Sequence, residues 1–338
     1  MTSDTLKIII PMAGYGTRLR PHTWSKPKPL VSVAGRPVLA HVLDLVGTAA
    51  DPANTELVFI VGYLGEQVQA FMRAQYPHLR AHYFTQTEMK GQSHAIALAR
   101  EHLHGPTLIL FVDTIVDTDF AFLKTDLADA IIWVKKVDDP RRFGVVVTGA
   151  DGFVTGMVEK PDSMENDLAI VGYYYFKRGE DLLAAIDHQL QHDMKTKGEY
   201  FLADAMSLML KDGMQMRAQT VDVWLDAGLP ETVLETNRIL LDSGRANHAE
   251  VAPRTGVTIH PPAYIYPDAE VTNSTIGPHV SIGPGCRVED STLTDTVLEA
   301  GAVVIGSHLR GSLVGARARV EGIDGIINVG DDSTVKHA

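Results

Sequence analysis

The sequence predicts an α/β domain with a mostly parallel sheet, followed by a short parallel β-helix. Three observations carry this. Over the first two thirds of the 338 residues, short apolar runs alternate with amphipathic stretches of helical spacing, the pattern of a parallel sheet with helices on both faces. After about Ser243 the helical patterns stop, and aliphatic residues recur every five or six positions. A glycine-rich, cationic loop, PMAGYGTRLRPHTWSKPKPL at residues 11–30, follows directly on the apolar run that ends at Ile10.

The elements read in order as follows. Leu6–Pro11 is a strand, Val38–Thr48 a helix, Glu56–Val61 a strand, Gly65–Gln75 a helix and Arg80–Phe84 a strand. Gln92–Glu101 is helical, Thr107–Val112 is a buried strand closed by Asp113, and Ala130–Val134 is another strand. Gly144–Val147 and Val154–Glu159 form a hairpin around Ala150-Asp151-Gly152, and Ile170–Phe176 is a further strand. Helices are expected over Asp181–Gln191, Leu202–Leu210 and Pro230–Leu241.

In the last third, Ile259, Ile265, Val271, Ile276, Ile282, Val288, Leu293, Leu298, Val304, Leu309, Val314 and Val320 are separated by Gly, Pro, Asn, Asp and Ser, as in IGPHVS and IGPGCR. So short a period excludes a helix. It fits a hexapeptide solenoid in which each short strand forms one side of a three-sided coil, with about four coils sharing a core. An irregular β-sandwich would not keep so even a spacing. The domains are expected at 1–243 and 251–338.

Composition removes several function classes. Forty-two acidic residues stand against 30 basic ones, a formal net charge of −12, which argues against a general nucleic-acid or anionic-membrane binder. The single cysteine, Cys286, excludes an intrachain disulfide framework. The N-terminal Met-Thr-Ser-Asp shows no signal-peptide pattern, and no apolar stretch approaches membrane-spanning length. A cytoplasmic protein is the expectation.

The loop itself matches neither G-x-x-x-x-G-K-[ST] nor G-x-G-x-x-G. In an open α/β sheet the ligand crevice lies beyond the carboxyl ends of the strands. A glycine loop there offers bare backbone N–H groups to phosphate oxygens. Arg18 can fork onto two oxygens, and Lys28 adds a point charge.

These residues resemble the signature of the sugar-phosphate nucleotidylyltransferases, G-G-x-G-T-R-L-x-P-x-T-x-x-x-P-K-P-L, with Ala13 where the first glycine is common. The resemblance is strongest to thymidylyltransferase-like members with a hexapeptide-repeat tail. It implies a Rossmann-like nucleotidyltransferase domain with a mixed, mostly parallel sheet, followed by a short left-handed parallel β-helix. It implies transfer of a nucleotide from a nucleoside triphosphate, dTTP or UTP, to a hexose 1-phosphate such as glucose 1-phosphate, with release of pyrophosphate. The implied nucleotide site is Ala13, Gly14, Gly16, Thr17, Arg18, Gln86 and Gly91, the glutamine and glycine reading a pyrimidine.

Asp113, in Phe111-Val112-Asp113 where the family usually has L-G-D, and Asp226, in VWLDAG, resemble the family's metal ligands and imply Mg2+. MVEKPD supplies Glu159 for sugar hydroxyls and Lys160 for the sugar phosphate; Gly144, Ile170 and Gly172 match sugar-pocket segments. Tyr174 is a pocket residue or core packing. Glu199 and Asp204, in GEYFLADAM, are read as fixing a loop and helix near the sugar. Arg18, Lys28, Asp113, Lys160 and Asp226 form the expected catalytic set.

Other readings compete. The chain could be a GTP-dependent mannose-1-phosphate transferase, a bifunctional nucleotidyl- and acyltransferase, or a catalytically silent regulatory paralogue. An acyltransferase would use His260, His279 or His308 as base, but the solenoid is short and carries no long loop, so they read as surface or corner residues. Cys286 reads as an ordinary solenoid residue. The intact catalytic set favours an active enzyme, and the solenoid is expected to assemble a homo-oligomer.

Overall fold

Leu6–Pro11 (β1) is buried along its whole length, and its apolar run reflects a strand covered on both faces. The computed structural model describes residues 5–252 and 255–337; the N-terminal Met-Thr-Ser-Asp lies outside them. The chain continues with Val38–Ala49 (α1), Thr55–Val61 (β2), Gly65–Gln75 (α2), Arg80–Thr85 (β3), Gln92–Ala97 (α3), Thr107–Leu110 (β4), Ala130–Lys136 (β5), Gly144–Thr148 (β6) and Val154–Glu159 (β7). Then come Leu168–Phe176 (β8), Gly179–Gln191 (α4), Leu202–Lys211 (α5), Met216–Thr220 (β9) and Pro230–Leu240 (α6).

Nine strands form one mixed sheet with the path β7-β6-β8-β4-β1-β2-β3; β5 pairs with β8 and β9. Pairings β4-β1-β2-β3 and β5-β9 are parallel, while β8 runs antiparallel to β4, β5 and β6. Ile9, Val58, Ile109, Ile132, Tyr174 and Phe176 share a core cluster with Leu202, Ala205 and Met206 of α5.

Two expected boundaries are corrected. The strand read as Thr107–Val112 ends at Leu110, because the Phe111 N–H turns to the carbonyl of Gly172 (3.0 Å), and Val112 and Asp113 form a turn leading into the short strand Thr114–Val116. The helix read as Gln92–Glu101 ends at Ala97, where the N–H groups of Leu98 and Ala99 bond to Ala95 and Ile96 in a tighter turn; a separate turn of helix covers Arg100–His102. The hairpin between β6 and β7 turns as expected: Gly152 adopts φ +81°, and Asp151 Oδ1 accepts from the Phe153 N–H.

Beyond residue 255 the strands stack in parallel. Val271, Val288, Val304, Val320 and Val335 lie in register on one face, so successive coils take 17, 16, 16 and 15 residues. A second column runs Ile265, Ile282, Leu298, Val314, Val329. The inward aliphatics form their own core with Cys286. This is a parallel β-helix, and the five stacked strands on that face bound four coils, as expected.

By contact the chain divides into two units, Met1–Gly14 with Val42–Trp224, and Tyr15–His41 with Leu225–Ala338. The part of the signature segment from Tyr15 onward, with Gly16, Arg18 and Lys28, therefore packs with the solenoid and α6.

Leu293 is fully buried in the solenoid core, whereas Ile326 is exposed. Leu293→Ala should cost about 2–5 kcal/mol, through lost contacts and a residual cavity. Ile326→Ala should stay within about 0.5 kcal/mol. Urea unfolding of both variants checks the contrast.

Candidate functional site

The signature loop is shaped by its glycines. Gly16 sits at φ +60°, and its carbonyl accepts from the Thr23 hydroxyl (2.7 Å). A Cβ there would come within 3.1 Å of the Thr23 methyl and 3.2 Å of Lys28 Cβ. Gly16 thus meets both demands that favour glycine, a left-handed backbone and a close approach. Thr17–Leu19 makes a single helical turn that leaves Thr17 and Arg18 exposed and buries Leu19. Lys28 begins another such turn, Lys28–Leu30.

Asp226 ends the strand Trp224–Asp226, and its carbonyl accepts from Thr236 of α6 (2.9 Å). A Cβ on Gly228 would lie 2.7 Å from Asp226 Oδ1 and 3.4 Å from Arg18 Nη2. The guanidinium and the carboxylate therefore face the same bare backbone, an arrangement that needs glycine at 228.

In the other unit, Ala13 is buried, and its carbonyl lies 2.3 Å from where a Cβ on Gly62 would be. Gly62 thus lets the two backbones approach closely. Gly14 is exposed, with open space beside it.

Gln86 and Gly91 do come together. The buried Gln86 amide nitrogen donates to the Gly91 carbonyl (3.4 Å) and reaches His94 Nδ1 (3.2 Å). Gly91, at φ +111°, packs on backbone: a Cβ would sit 2.7 Å from Tyr200 N and O. Sequence reasoning missed His94, whose only signal is its place in the same stretch.

Asp113 stands in the turn after β4. The Thr114 hydroxyl donates to the Val171 carbonyl (3.1 Å) and the Tyr173 hydroxyl to the Thr114 carbonyl (3.3 Å), so the turn is pinned to β8. The register of β8 against β5 shifts between Ile170 and Tyr174, and Gly172 within that irregularity has φ +91°. Tyr174 is buried in the core, its ring edge-on to Phe111.

The residues read for the sugar phosphate cluster on β6, β7 and β8. Gly144 and Glu159 are register partners, and a Cβ on Gly144 would meet Glu159 Oε2 at 2.8 Å and Ile170 Cδ1 at 3.3 Å. Lys160, at φ +49°, places its Nζ 4.0 Å from Glu159 Oε1 and 5.0 Å from the centre of the Phe201 ring. Burial raises the pKa of Glu159; Lys160 opposes this and Asp204 adds to it. Asp204, read from sequence as structural, is also raised by burial, and its Oδ2 is a buried acceptor with no hydrogen-bond partner among the described residues. Such an atom asks for a donor from a ligand or water.

His260 and His308 are exposed, and His279 Nε2 contacts Asp242 (3.0 Å). Cys286 is buried, and burial pushes its thiol up to about 11. Among the described residues, Glu56, His82 and His102 form a group of three side chains close enough to share an ion, where Arg80 already pairs with Glu56 at 3.5 Å; neither expected metal aspartate belongs to that group. No described helix is long and apolar enough to cross a membrane.

Residues 7–243 match the family described as Nucleotidyl transferase. The chain belongs to that family. It is 28% identical to a glucose-1-phosphate thymidylyltransferase of Streptomyces griseus, over 93% of each chain. It is 33% identical to UTP--glucose-1-phosphate uridylyltransferase AglF of Haloferax volcanii, over 67% of this chain and 93% of that one. It is 32% identical to the bifunctional protein GlmU of Mycolicibacterium gilvum, over 93% of this chain and 66% of that one. A crystal structure of UDP-glucose pyrophosphorylase with UDP-glucose shares the fold: TM-score 0.58, 20% identity, 70% of this chain and 98% of that one.

Two predictions follow from the geometry of this nucleotidyl transferase. A methyl at position 228 displaces the end of a flexible side chain, so Gly228→Ala should leave the urea midpoint nearly unchanged while lowering turnover roughly a hundredfold, the scale of a 1 Å misplacement. The second concerns Glu159. A carboxylate raised in the folded state binds more proton there than in the unfolded chain, so stability falls as pH rises above the ordinary value of 4.5 toward the raised one. Glu159→Gln should flatten that fall in urea midpoints measured across the window; parallel curves would make Glu159 an ordinary carboxylate.

Proposed function

We propose that the chain transfers the nucleotidyl group of dTTP or UTP to glucose 1-phosphate, giving a nucleoside diphosphate sugar and pyrophosphate. The observation that carries this reading is the approach of Arg18 and Asp226 to the same bare Gly228 backbone, in the unit that also holds Gly16 and Lys28. It is supported by relatives whose names include glucose-1-phosphate thymidylyltransferase and UTP--glucose-1-phosphate uridylyltransferase.

In the proposed reaction a sugar-phosphate oxygen attacks the α-phosphorus in line, and the bond to the β-phosphate oxygen breaks. The nucleophile is already an anion, so no general base is required. Catalysis is then positioning and charge stabilisation. Backbone N–H groups at Ala13, Gly14, Gly16 and Thr17, with Arg18 and Lys28, hold the triphosphate and stabilise the leaving pyrophosphate. Gln86 and Gly91 face the pyrimidine. Lys160 holds the attacking phosphate. Glu159 accepts from sugar hydroxyls beside Gly144, Ile170 and Gly172, and the unpartnered Oδ2 of Asp204 is a further acceptor. Tyr174 supports this pocket from the core.

Asp113 and Asp226 offer only hard carboxylate oxygens, a donor set that suits Mg2+. When bound, the ion would neutralise charge on the phosphates. We assign residues 1–243 to catalysis and 251–338 to the β-helix, which would join copies of the chain. The enzyme would work in the cytoplasm, on small anions rather than nucleic acid.

The test is pyrophosphate release with Mg2+, crossing dTTP, UTP, GTP and ATP with glucose, mannose, galactose and amino-sugar 1-phosphates. A single productive pair of dTTP or UTP with glucose 1-phosphate is expected. A GTP and mannose pair would replace the substrate assignment. Silence across the grid, with nucleotide sugar still bound, would make the chain a regulatory paralogue. Asp113→Asn and Asp226→Asn should each cost about a hundredfold or more in turnover; near-normal activity in both would overturn the metal assignment.

A further inference from the structure

Of the cations in the signature loop, Lys26 is turned to the solenoid. Its Nζ lies 3.2 Å from Glu299 Oε2 and 3.5 Å from Asp331 Oδ1, and the three side chains are only 11%, 9% and 5% exposed. Removing one partner from an ion pair so withdrawn from water leaves the others uncompensated, so the contact depends on its cation.

Each carboxylate also grips the loop directly. Glu299 accepts from the Ser32 N–H (2.9 Å) and the Ser32 hydroxyl (3.1 Å), while Asp331 accepts from the Ser25 hydroxyl (2.6 Å). Both acids are themselves fixed in solenoid turns. The Glu299 N–H donates to Val314, and Asp331 Oδ1 accepts from the Ala316 N–H. Nearby, His22 Nε2 meets Asn328 Oδ1 (2.5 Å), and Gly330 is bare where Pro21 lies against it.

These anchors bracket the residues assigned to phosphate. Lys28 lies between Lys26 and Ser32, both bound by Glu299. Arg18 lies between Gly16, tied to Thr23, and Pro21, packed on Gly330.

We propose that Glu299 and Asp331 are positioning residues for nucleotide binding. Through Lys26, Ser25 and Ser32 they set the conformation of the segment that carries Gly16, Arg18 and Lys28. The β-helix is then part of the nucleotide-binding machinery of this chain as well as a module for assembly. The proposal rests on the reading of Arg18 and Lys28 as triphosphate ligands, so its test has one readout that needs no nucleotide.

In the full-length protein, Glu299→Gln and Lys26→Met are compared with wild type by amide hydrogen exchange without ligand. Peptides covering residues 15–33 should exchange at least tenfold faster in both variants, while the solenoid core around 280–298 keeps its protection. Lys26→Arg, which keeps the charge, should stay close to wild type. In turnover assays with dTTP or UTP and glucose 1-phosphate, both variants should raise KM for the triphosphate about tenfold, with KM for the sugar phosphate within twofold of wild type. Exposed Glu270→Gln should change neither readout.

Unchanged loop exchange would overturn the clamp. Exchange that rises equally through the solenoid core, or KM values that rise together, would reduce the residues to a general structural role and overturn the positioning claim. A loop loosened as expected, in proteins none of which turns over any triphosphate, would overturn the proposed function and uphold the clamp.

Discussion

One ammonium group, on Lys26, is held between two solenoid carboxylates that are almost out of water. A loop of glycines, prolines and cations has little structure of its own, and backbone N–H groups bind phosphate well only if they already point the right way. Here the rigidity comes from outside the loop. A parallel β-helix repeats the same backbone hydrogen bonds coil after coil, and its turns hold Glu299 and Asp331 at fixed positions. The desolvation of those two acids makes the contact sensitive to its cation: without Lys26 they would repel each other with little water to screen them.

Much of the architecture was legible because it follows periodicity. The alternation of buried strands and amphipathic helices placed β1, α2 and α5 to within a residue, and the five-to-six-residue spacing revealed the solenoid through the very aliphatics that fill its core. Errors arose where tertiary contacts overrode a local pattern. Val112 is as apolar as a strand residue, yet the chain turns before it, because Phe111 spends its N–H on Gly172, over sixty positions later. The coils run 15–17 residues rather than a strict eighteen, as the spacing of five or six between aliphatics requires.

Site residues divide in the same way. Gln86 and Gly91 lie five positions apart and meet; Gly144, Glu159 and Ile170 come from adjacent strands and also meet. The role of Lys26 was hidden, since Ser32 and Glu299, which share its clamp, stand 267 positions apart and no local pattern links them. Asp204 was hidden for another reason. In sequence it is a first-turn helix acid, for which a structural role is the ordinary reading, and only its burial reveals an unmatched oxygen. The choice of one hexose over another depends on the orientation of single hydroxyls, which residue identity does not encode at that resolution.

The charge balance gives this preorganisation its importance. A chain of net charge −12 repels a triphosphate and a sugar phosphate at long range, so electrostatic steering by the whole molecule does not help them arrive. At physiological ionic strength that repulsion fades beyond about 8 Å, and affinity has to come from contacts made at close quarters. Arg18, Lys28 and Lys160, the cations assigned to phosphate, are then worth most when each is already in place. Arg18 stands beside Asp226 and Lys160 beside Glu159. The proposed ligands would engage those acids: an ion at Asp226 and sugar hydroxyls at Glu159. Substrate binding would thereby free each cation for phosphate at the moment phosphate arrives.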